Sequence, residues 1–403
     1  MMAEWQSKTL IELCDVFADG DWVESKDQSP EGIRLIQTGN VGQGVFKDRG
    51  EKARYISEAT FHRLRCTEIF EDDCLISRLP DPVGRSCLLP DTGERMITAV
   101  DCTIVRFKRN LLIPEFFNYY SQSCSYLQDV ESETSGTTRK RISRSKLGET
   151  SIPVPPLPEQ QRIVNTLDET FDEIAVAKGN AEKNLANARA LFESQLQTEF
   201  AEAWQTGELV QLADLAKNIS DGDHMPPPKA SSGVPFITIG NIHKGTRTID
   251  FSDTFKVPHD YYNSLKPNKK PIAGDVLYTV TGSFWIPVLV SDGTKFCFQR
   301  HIGLVRPKSG IDSKWLYYLL MSPQVFKQAN EGATGTAQKT VSLKILRGFQ
   351  VPKISLSQQR LCVEKFDSLS TGTQRLESIY QHKLAALDAL KKSLLNKAFS
   401  GEI

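Results

Sequence analysis

The chain has 403 residues, 39% of them hydrophobic and 24% charged, with 49 basic side chains balanced by 49 acidic ones. That length supports two to four domains. No apolar run approaches the roughly 20 residues of a membrane span, and the opening MMAEWQSKTL lacks a signal-peptide core, so a cytoplasmic protein is expected. The neutral total hides an uneven distribution: residues 1–150 carry 20 Lys and Arg against 24 Asp and Glu, whereas 207–356 carry 18 against 11. Zero net charge therefore still allows a local basic surface facing a phosphate backbone. The eight cysteines form no C-x-x-C and lie near no histidine at metal-ligand spacing, which predicts reduced, mostly buried thiols.

In chain order, residues 1–155 read as strands and turns, with strands predicted at Cys74–Ser77 and Cys102–Phe107 and a short helix over 115–126. Residues 158–204 change period. Ile163, Leu167, Phe171, Ile174, Ala181, Leu185, Ala188, Phe192 and Leu196 fall on one helical face, with Pro158 and Glu159 in the first turn. Strand texture returns over 207–355, at 276–280 and 301–305, with a second short helix over 314–327. Residues 356–403 are again helical, with a stripe of Leu361, Leu369, Leu376, Tyr380, Leu387, Leu390 and Leu394 and a cap at Ser355 or Ser357.

Both stripes alternate threes and fours like an imperfect heptad, so the two helices, each roughly 60 to 70 Å long, are expected to pair as a coiled coil. An antiparallel pair would put the globular parts at opposite ends. The other reading docks each helix on a separate core.

The chain is one unit written twice, at an offset near 200 residues. Asp19-Gly20-Asp21 matches Asp221-Gly222-Asp223, and Thr38-Gly39-Asn40 matches Ile239-Gly240-Asn241. Ser135-Gly136-Thr137 matches Thr334-Gly335-Thr336, Ile152-Pro153 matches Val351-Pro352, and Gln160-Gln161-Arg162 matches Gln358-Gln359-Arg360. Ala190-Leu191 through Phe200 matches Ala389-Leu390 through Phe399. Between these blocks, residues 42–134 and 243–333 share little beyond length.

Pro-Leu-Pro-Glu-Gln-Gln-Arg-Ile-Val at 156–164, its echo Ser-Gln-Gln-Arg at 357–360, the paired Gly-Asn blocks and the closing Ala-Phe-Ser-Gly-Glu-Ile at 398–403 carry a resemblance. The chain closely resembles the specificity subunit of type I restriction-modification systems, along essentially its whole length. The resemblance implies an α+β architecture with a pseudo-two-fold internal repeat. Two mixed α/β target-recognition domains, 1–155 and 207–355, would be joined by two long antiparallel coiled-coil helices, 156–206 and 356–403. It implies that each domain reads one half of a bipartite, asymmetric double-stranded DNA target and that the helices set the gap. The implied partners are two methyltransferase subunits and motor-nuclease subunits. Those partners would carry S-adenosylmethionine and ATP, leaving this chain with no cofactor and no membrane association.

The residues themselves offer no catalytic set. There is no G-x-x-x-x-G-K-[ST] loop, no G-x-G-x-x-G after a strand and no Asn/Asp-Pro-Pro-aromatic motif, and the six histidines are dispersed. For DNA contact, the stretch 137–146 carries five cations and no acid: Thr137, Thr138, Arg139, Lys140, Arg141 and Arg144 are the expected contacts there. Its counterpart contributes Thr336, Gln338 and Lys339. Phe284 and Trp285 follow a predicted strand, and Arg78 and Arg85 flank a turn-rich loop. The bland readings are solvated turns for the charged residues and core packing for the aromatics. A nuclease would need a carboxylate set that is missing, and a scaffolding adaptor without sequence-specific DNA binding would explain the helices but not two different globules.

Overall fold

The computed structural model describes residues 5–291, 293–335, 338–400 and 402. The chain divides into two compact units. The first comprises residues 1–181 with 382–403, the second residues 182–381. Each is built on a four-stranded antiparallel sheet. In the first unit β1 (Cys14–Asp19), β2 (Cys74–Ser77), β3 (Ser86–Leu88) and β4 (Cys102–Phe107) lie in the order β1-β4-β2-β3. In the second, β5 (Ala216–Asp221), β6 (Val276–Thr279), β7 (Pro287–Leu289) and β8 (Ile302–Pro307) lie in the order β5-β8-β6-β7. The topology is the same, although most of these strands fall in the segments whose sequences do not match.

The central strands β2 and β6 are buried at every residue because each sheet is covered on both faces. One cover is helical. Sequence periodicity predicts a single short helix here, but each unit has two, Pro114–Tyr120 with Cys124–Ser132 and Ser313–Met321 with Pro323–Gly332. Ser123 and Ser322 break the run, since each hydroxyl caps a new helix by accepting from the N–H of Tyr126 or Val325. The other cover is a second sheet, of five short strands in the first unit and three in the second. Ile33–Ile36 runs parallel to Met96–Thr98 in the first unit, and Val234–Ile237 runs parallel to Cys297–Phe298 in the second.

Each sheet is stapled by a fork. Arg106 donates Nε and an Nη to the two oxygens of Asp73, at 2.7 and 2.6 Å, and Arg306 does the same to Asp275 at 2.8 and 2.7 Å.

The long helices are α1, Leu157–Thr206, and α2, Leu356–Ser400. Each contributes one part to each unit, and within each unit the two segments run antiparallel. Lys178 pairs with Asp388 in the first unit, while Arg189 and Lys365 pair with Glu377 and Glu199 in the second. Ile163, Leu167, Ile174, Ala181, Ala188 and Leu196 of the expected α1 stripe are buried.

The α2 stripe is corrected. Leu361, Leu376 and Leu390 are exposed, and beyond Gln359 the buried positions are Phe366, Thr373, Leu395 and Ala398. Phe366 stacks on Phe200 at 5.5 Å, and Phe399 packs edge-on against Phe116 and Tyr120 at 5.4 and 5.3 Å. Of the two capping serines considered, Ser355 is the cap, with its Oγ accepting from the Gln358 N–H.

The Gln-Gln-Arg match also shifts by one residue. The structural equivalent of Gln160 is Gln359. Gln160 is buried, accepts from the Ile113 N–H at 2.8 Å and donates to the Leu111 and Pro155 carbonyls. Gln359 is buried, accepts from the Asp312 N–H at 2.7 Å and donates to Ile354 O at 3.0 Å. These glutamines bolt the start of each long helix to its globular part. Tyr119 and Tyr318 add a second bolt by donating their hydroxyls to Asp168 and Asp367 on the long helices. Gln160→Ala or Gln359→Ala should cost about 1–3 kcal/mol through orphaned buried backbone groups, read as a lowered denaturation midpoint. Gln161→Ala, whose side chain is exposed, should leave the midpoint in place.

Candidate nucleic-acid interface

Three loops gather at one end of each four-stranded sheet, and the repeated residues are what hold them. Gly20 and Gly222 leave β1 and β5 where a Cβ would lie 2.3 Å from Ala99 O and 1.9 Å from Phe298 O, so no other residue fits without moving backbone. Asn40 and Asn241 are buried and close the base of a hairpin. The side-chain oxygen of each accepts from the N–H of Gln37 or Thr238, and its amide donates to Lys47 O or Asp253 O. They shape the turn. The hairpins rise from Val41 paired with Phe46, and from Ile242 and His243 paired with Ile249 and Thr248.

The Gly-led segments form a second hairpin. Ser135 and Arg141 exchange two backbone hydrogen bonds of 2.9 Å around Gly136 at φ +98°, and Thr334 and Thr340 exchange bonds of 3.0 and 2.8 Å around Gly335 at φ +106°. Each hairpin docks on the loop that leaves the inner strand, through Ile142 N–H to Arg78 O and Val341 N–H to Val280 O.

In the second unit the docking brings the expected residues together. Gly282 N–H donates to Lys339 O at 3.0 Å, and the Gln338 amide lies over Gly282. Gln338 and Lys339 are exposed, while Thr336 lies outside the described residues. Phe284 and Trp285 stand beside them but are half-buried, packing with Phe326 at 6.2 and 4.5 Å. Their rings are committed to packing before any ligand arrives.

In the first unit Thr137, Thr138 and Arg139 are exposed. The charge of the run is largely cancelled, because the fold supplies acids that the local sequence lacks. Lys140 pairs with Glu131, Arg141 with Asp101 at 2.9 Å, Arg144 with Asp19 at 3.6 Å and Lys146 with Glu133 at 2.6 Å. Only Arg139 of the five cations has no ion pair among the described residues.

Arg78 and Arg85, expected at the DNA surface, are a correction. Arg78 is 4% exposed and donates to Val100 O at 2.6 Å beside the Asp19 carboxylate. Arg85 spends its guanidinium on backbone carbonyls of its own unit. Burial draws both below the ordinary arginine range; Arg78 is shut away from solvent and the Arg85 guanidinium is held by carbonyls.

A basic site absent from the sequence reading lies beside the first hairpin. Arg49, Lys52 and Arg54 are exposed, have no ion pair among the described residues and border a cavity of about 150 Å³ lined also by Arg34, Gln37 and Asn40. Arg34 is neutralised by Asp48 and Glu94. The signal was present as Lys-Asp-Arg-Gly-Glu-Lys-Ala-Arg at 47–54, in which acids alternate with cations. Its alternating signs look neutral until Asp48 is seen to be engaged elsewhere. In the second unit Lys229 and Lys270 lie over Phe255 and Tyr262, 5.2 and 5.1 Å from the ring centroids. Among the described residues no group of His, Cys, Asp and Glu could hold a metal ion, and no helix is long and apolar enough to cross a membrane.

Comparison with known proteins meets this geometry. The model of the type I restriction modification DNA specificity domain matches twice, over residues 2–185 and 201–384, a spacing equal to that from Gln160 to Gln359. The chain belongs to that family and carries its domain in two copies. Among curated relatives it is 24% identical over 311 residues to the EcoBI specificity subunit of Escherichia coli, a match covering 71% of this chain and 65% of that subunit. It is also 24% identical over 324 residues to the MjaVIII specificity subunit of Methanocaldococcus jannaschii, covering 75% and 73%.

Two solved structures share the fold at 18% identity. One is a chain from a study of complex assembly and conformational transition of a type I R-M system, with TM-score 0.80 over 99% of this chain and 98% of that one. The other is the HsdS subunit of Thermoanaerobacter tengcongensis, with TM-score 0.60 over 99% and 97%.

The ion pairs of the 137–146 stretch yield a prediction. Glu131→Gln with Glu133→Gln frees Lys140 and Lys146, so affinity for duplex DNA should rise and its salt dependence steepen. Unchanged binding in a salt titration would remove that hairpin from the interface.

Proposed function

We propose that the chain is the address-reading, non-catalytic subunit of a type I restriction-modification complex. Each unit reads one half of a bipartite double-stranded DNA target. The observation that carries this reading is the contrast inside the repeat. Sheet order, Gly20 and Gly222, Asn40 and Asn241, and the Gly-led hairpins are the same in both units, whereas the residues displayed on the loops differ throughout. A common frame lets identical partners bind equivalent surfaces, one on each unit, while different loops read different bases. The chain's proposed partners are two methyltransferase subunits and motor-nuclease subunits; membership of the family supports the kinds of partner. S-adenosylmethionine and ATP are assigned to them and no cofactor to this chain.

In the first unit base edges are assigned to Thr137, Thr138 and Arg139, and the phosphate backbone to Arg49, Lys52 and Arg54, because all six are exposed. In the second, Gln338 and Lys339 take the first role. Gln338 offers the paired donor and acceptor that match adenine.

The test is methylation mapping of a complex assembled with its methyltransferase subunits. Exchanging residues 1–155 for the equivalent segment of a relative should change one half of the methylated sequence and leave the other intact. A change in both halves, or binding indifferent to sequence as a scaffold would show, overturns the proposal. In the same complex, replacing Arg49, Lys52 and Arg54 by Ala should lower the slope of log K against log salt by about 0.9 for each phosphate that is no longer neutralised. An unchanged slope removes them from the DNA.

A further inference from the structure

We propose that Arg85 in the first unit and Arg247 in the second are positioning residues that hold each recognition loop in register with the hairpin built by the shared Gly-Asn turn. The inference rests on the DNA-reading function proposed above. It concerns which residues set the shape of the reading surface, not which ones touch DNA.

Arg85 ends the loop between β2 and β3. Its Nε donates to Val41 O at 2.8 Å and one Nη to Thr38 O at 2.9 Å, both on the hairpin side. The other Nη donates to Leu79 O, Pro80 O and Pro82 O, at 2.8, 2.6 and 3.0 Å, all within the loop itself. A guanidinium has five N–H donors in a rigid plane, and here that plane lies between two segments far apart in the chain. The side chain has no ion pair among the described residues, so its charge is met by carbonyl dipoles drawn from both segments. A lysine, with its donors at one point, cannot span that gap.

The second unit ties the same two segments from the opposite side. Arg247 sits at the hairpin tip with φ +54°, and its guanidinium lies 5.7 Å from the centroid of the Trp285 ring, with Nη1 3.4 Å from Trp285 O. Trp285 lies in the loop between β6 and β7 and is itself held at φ +71°. In one unit the arginine belongs to the loop and grips the hairpin. In the other it belongs to the hairpin and grips the loop. The two side chains occupy unrelated places in the repeat, yet each links the same pair of elements.

Neither arginine belongs to a hydrophobic cluster, but each is anchored on one: Val41 lies in a core of the first unit and Trp285 packs against a core of the second. The tied segments display exposed side chains, Gln43 and Val45 on one hairpin and Lys244 and Thr246 on the other. Base discrimination depends on donors held to within about 0.5 Å, and a rigid tie between the two segments supplies that precision.

The experiment uses the assembled complex with its methyltransferase subunits and duplexes altered by one base in either half-site. Arg85→Lys should reduce the ratio of cognate to altered-site methylation at least tenfold in the half read by the first unit, leave the other ratio unchanged and leave the salt slope unchanged. Arg247→Lys should do the converse. Arg85→Gln should match or exceed Arg85→Lys, and where it fails to assemble the lysine variant carries the test, since it keeps the charge and the stem. Equal loss on every duplex with both ratios preserved would mean a purely structural role and overturn the proposal. A salt slope lowered by about 0.9 would mean direct phosphate contact and overturn it equally. A wild-type complex that discriminates in neither half would refute the recognition reading itself, whereas discrimination that survives in both variants refutes only the positioning role.

Discussion

A long helix with a narrow apolar face gains little stability by itself in water. In this chain each long helix finds its cover in a segment far away in sequence. The first unit is completed by residues 382–403, which bring Leu395, Ala398 and Phe399 against Ile163, Leu167, Phe116 and Tyr120. The second is completed by residues 182–206, which bring Leu196 and Phe200 against Phe366 and Val351. Each core therefore depends on antiparallel helix pairing, and that pairing depends on the repeat, because equivalent residues of the two helices serve the two cores. The buried glutamines and the tyrosine–aspartate bonds fix each helix to the sheet it serves, so loop positions at the far end of the sheet inherit their geometry from the helices.

That dependence separates what is constrained from what is free. Gly20, Gly222, Asn40, Asn241, Gly136 and Gly335 are confined by backbone contact, by hairpin closure or by positive φ. They repeat because only one residue type fits each place. The displayed side chains answer to no such limit within the protein. The two units accordingly tie their loops with different arginines and spread their charge differently, with carboxylates screening the basic hairpin of the first unit and lysines over aromatic rings in the second.

Much of this was legible in the sequence, for reasons that vary by residue. The glycines and asparagines stood out because strain and hairpin closure select residue types at fixed places. The α1 stripe was legible because its steps of three, four and seven keep to one helical face from Ile163 to Leu196. The α2 stripe misled because leucines on that helix are not confined to the seam. Leu361 is 60% exposed, and the seam position near the middle is taken by Thr373. Two adjacent glutamines permit two alignments, and only the buried bonds of Gln160 and Gln359 decide between them. Arg78 and Arg85 looked like DNA contacts because a long cation beside a turn usually reaches solvent. Nothing local in sequence reveals that Val41 O, Thr38 O and Val100 O wait for them. For the same reason the run 137–146 looked more basic than it is, since Asp19 and Asp101 join it only in three dimensions.

In each unit the strand that enters the globular part lies directly beside the one that leaves it. Gln6–Thr9 pairs with Ser151–Val154, and Glu208–Gln211 pairs with Gln350–Lys353. The chain between them enters and leaves at one place, through ends about one strand spacing apart. Such a segment behaves as a plug in a socket. Exchange between relatives can replace it wholesale if the two short strands are preserved and the incoming segment supplies its own partners for the buried glutamine and the helix aspartate. A new address is then a matter of exchange rather than of accumulated point changes.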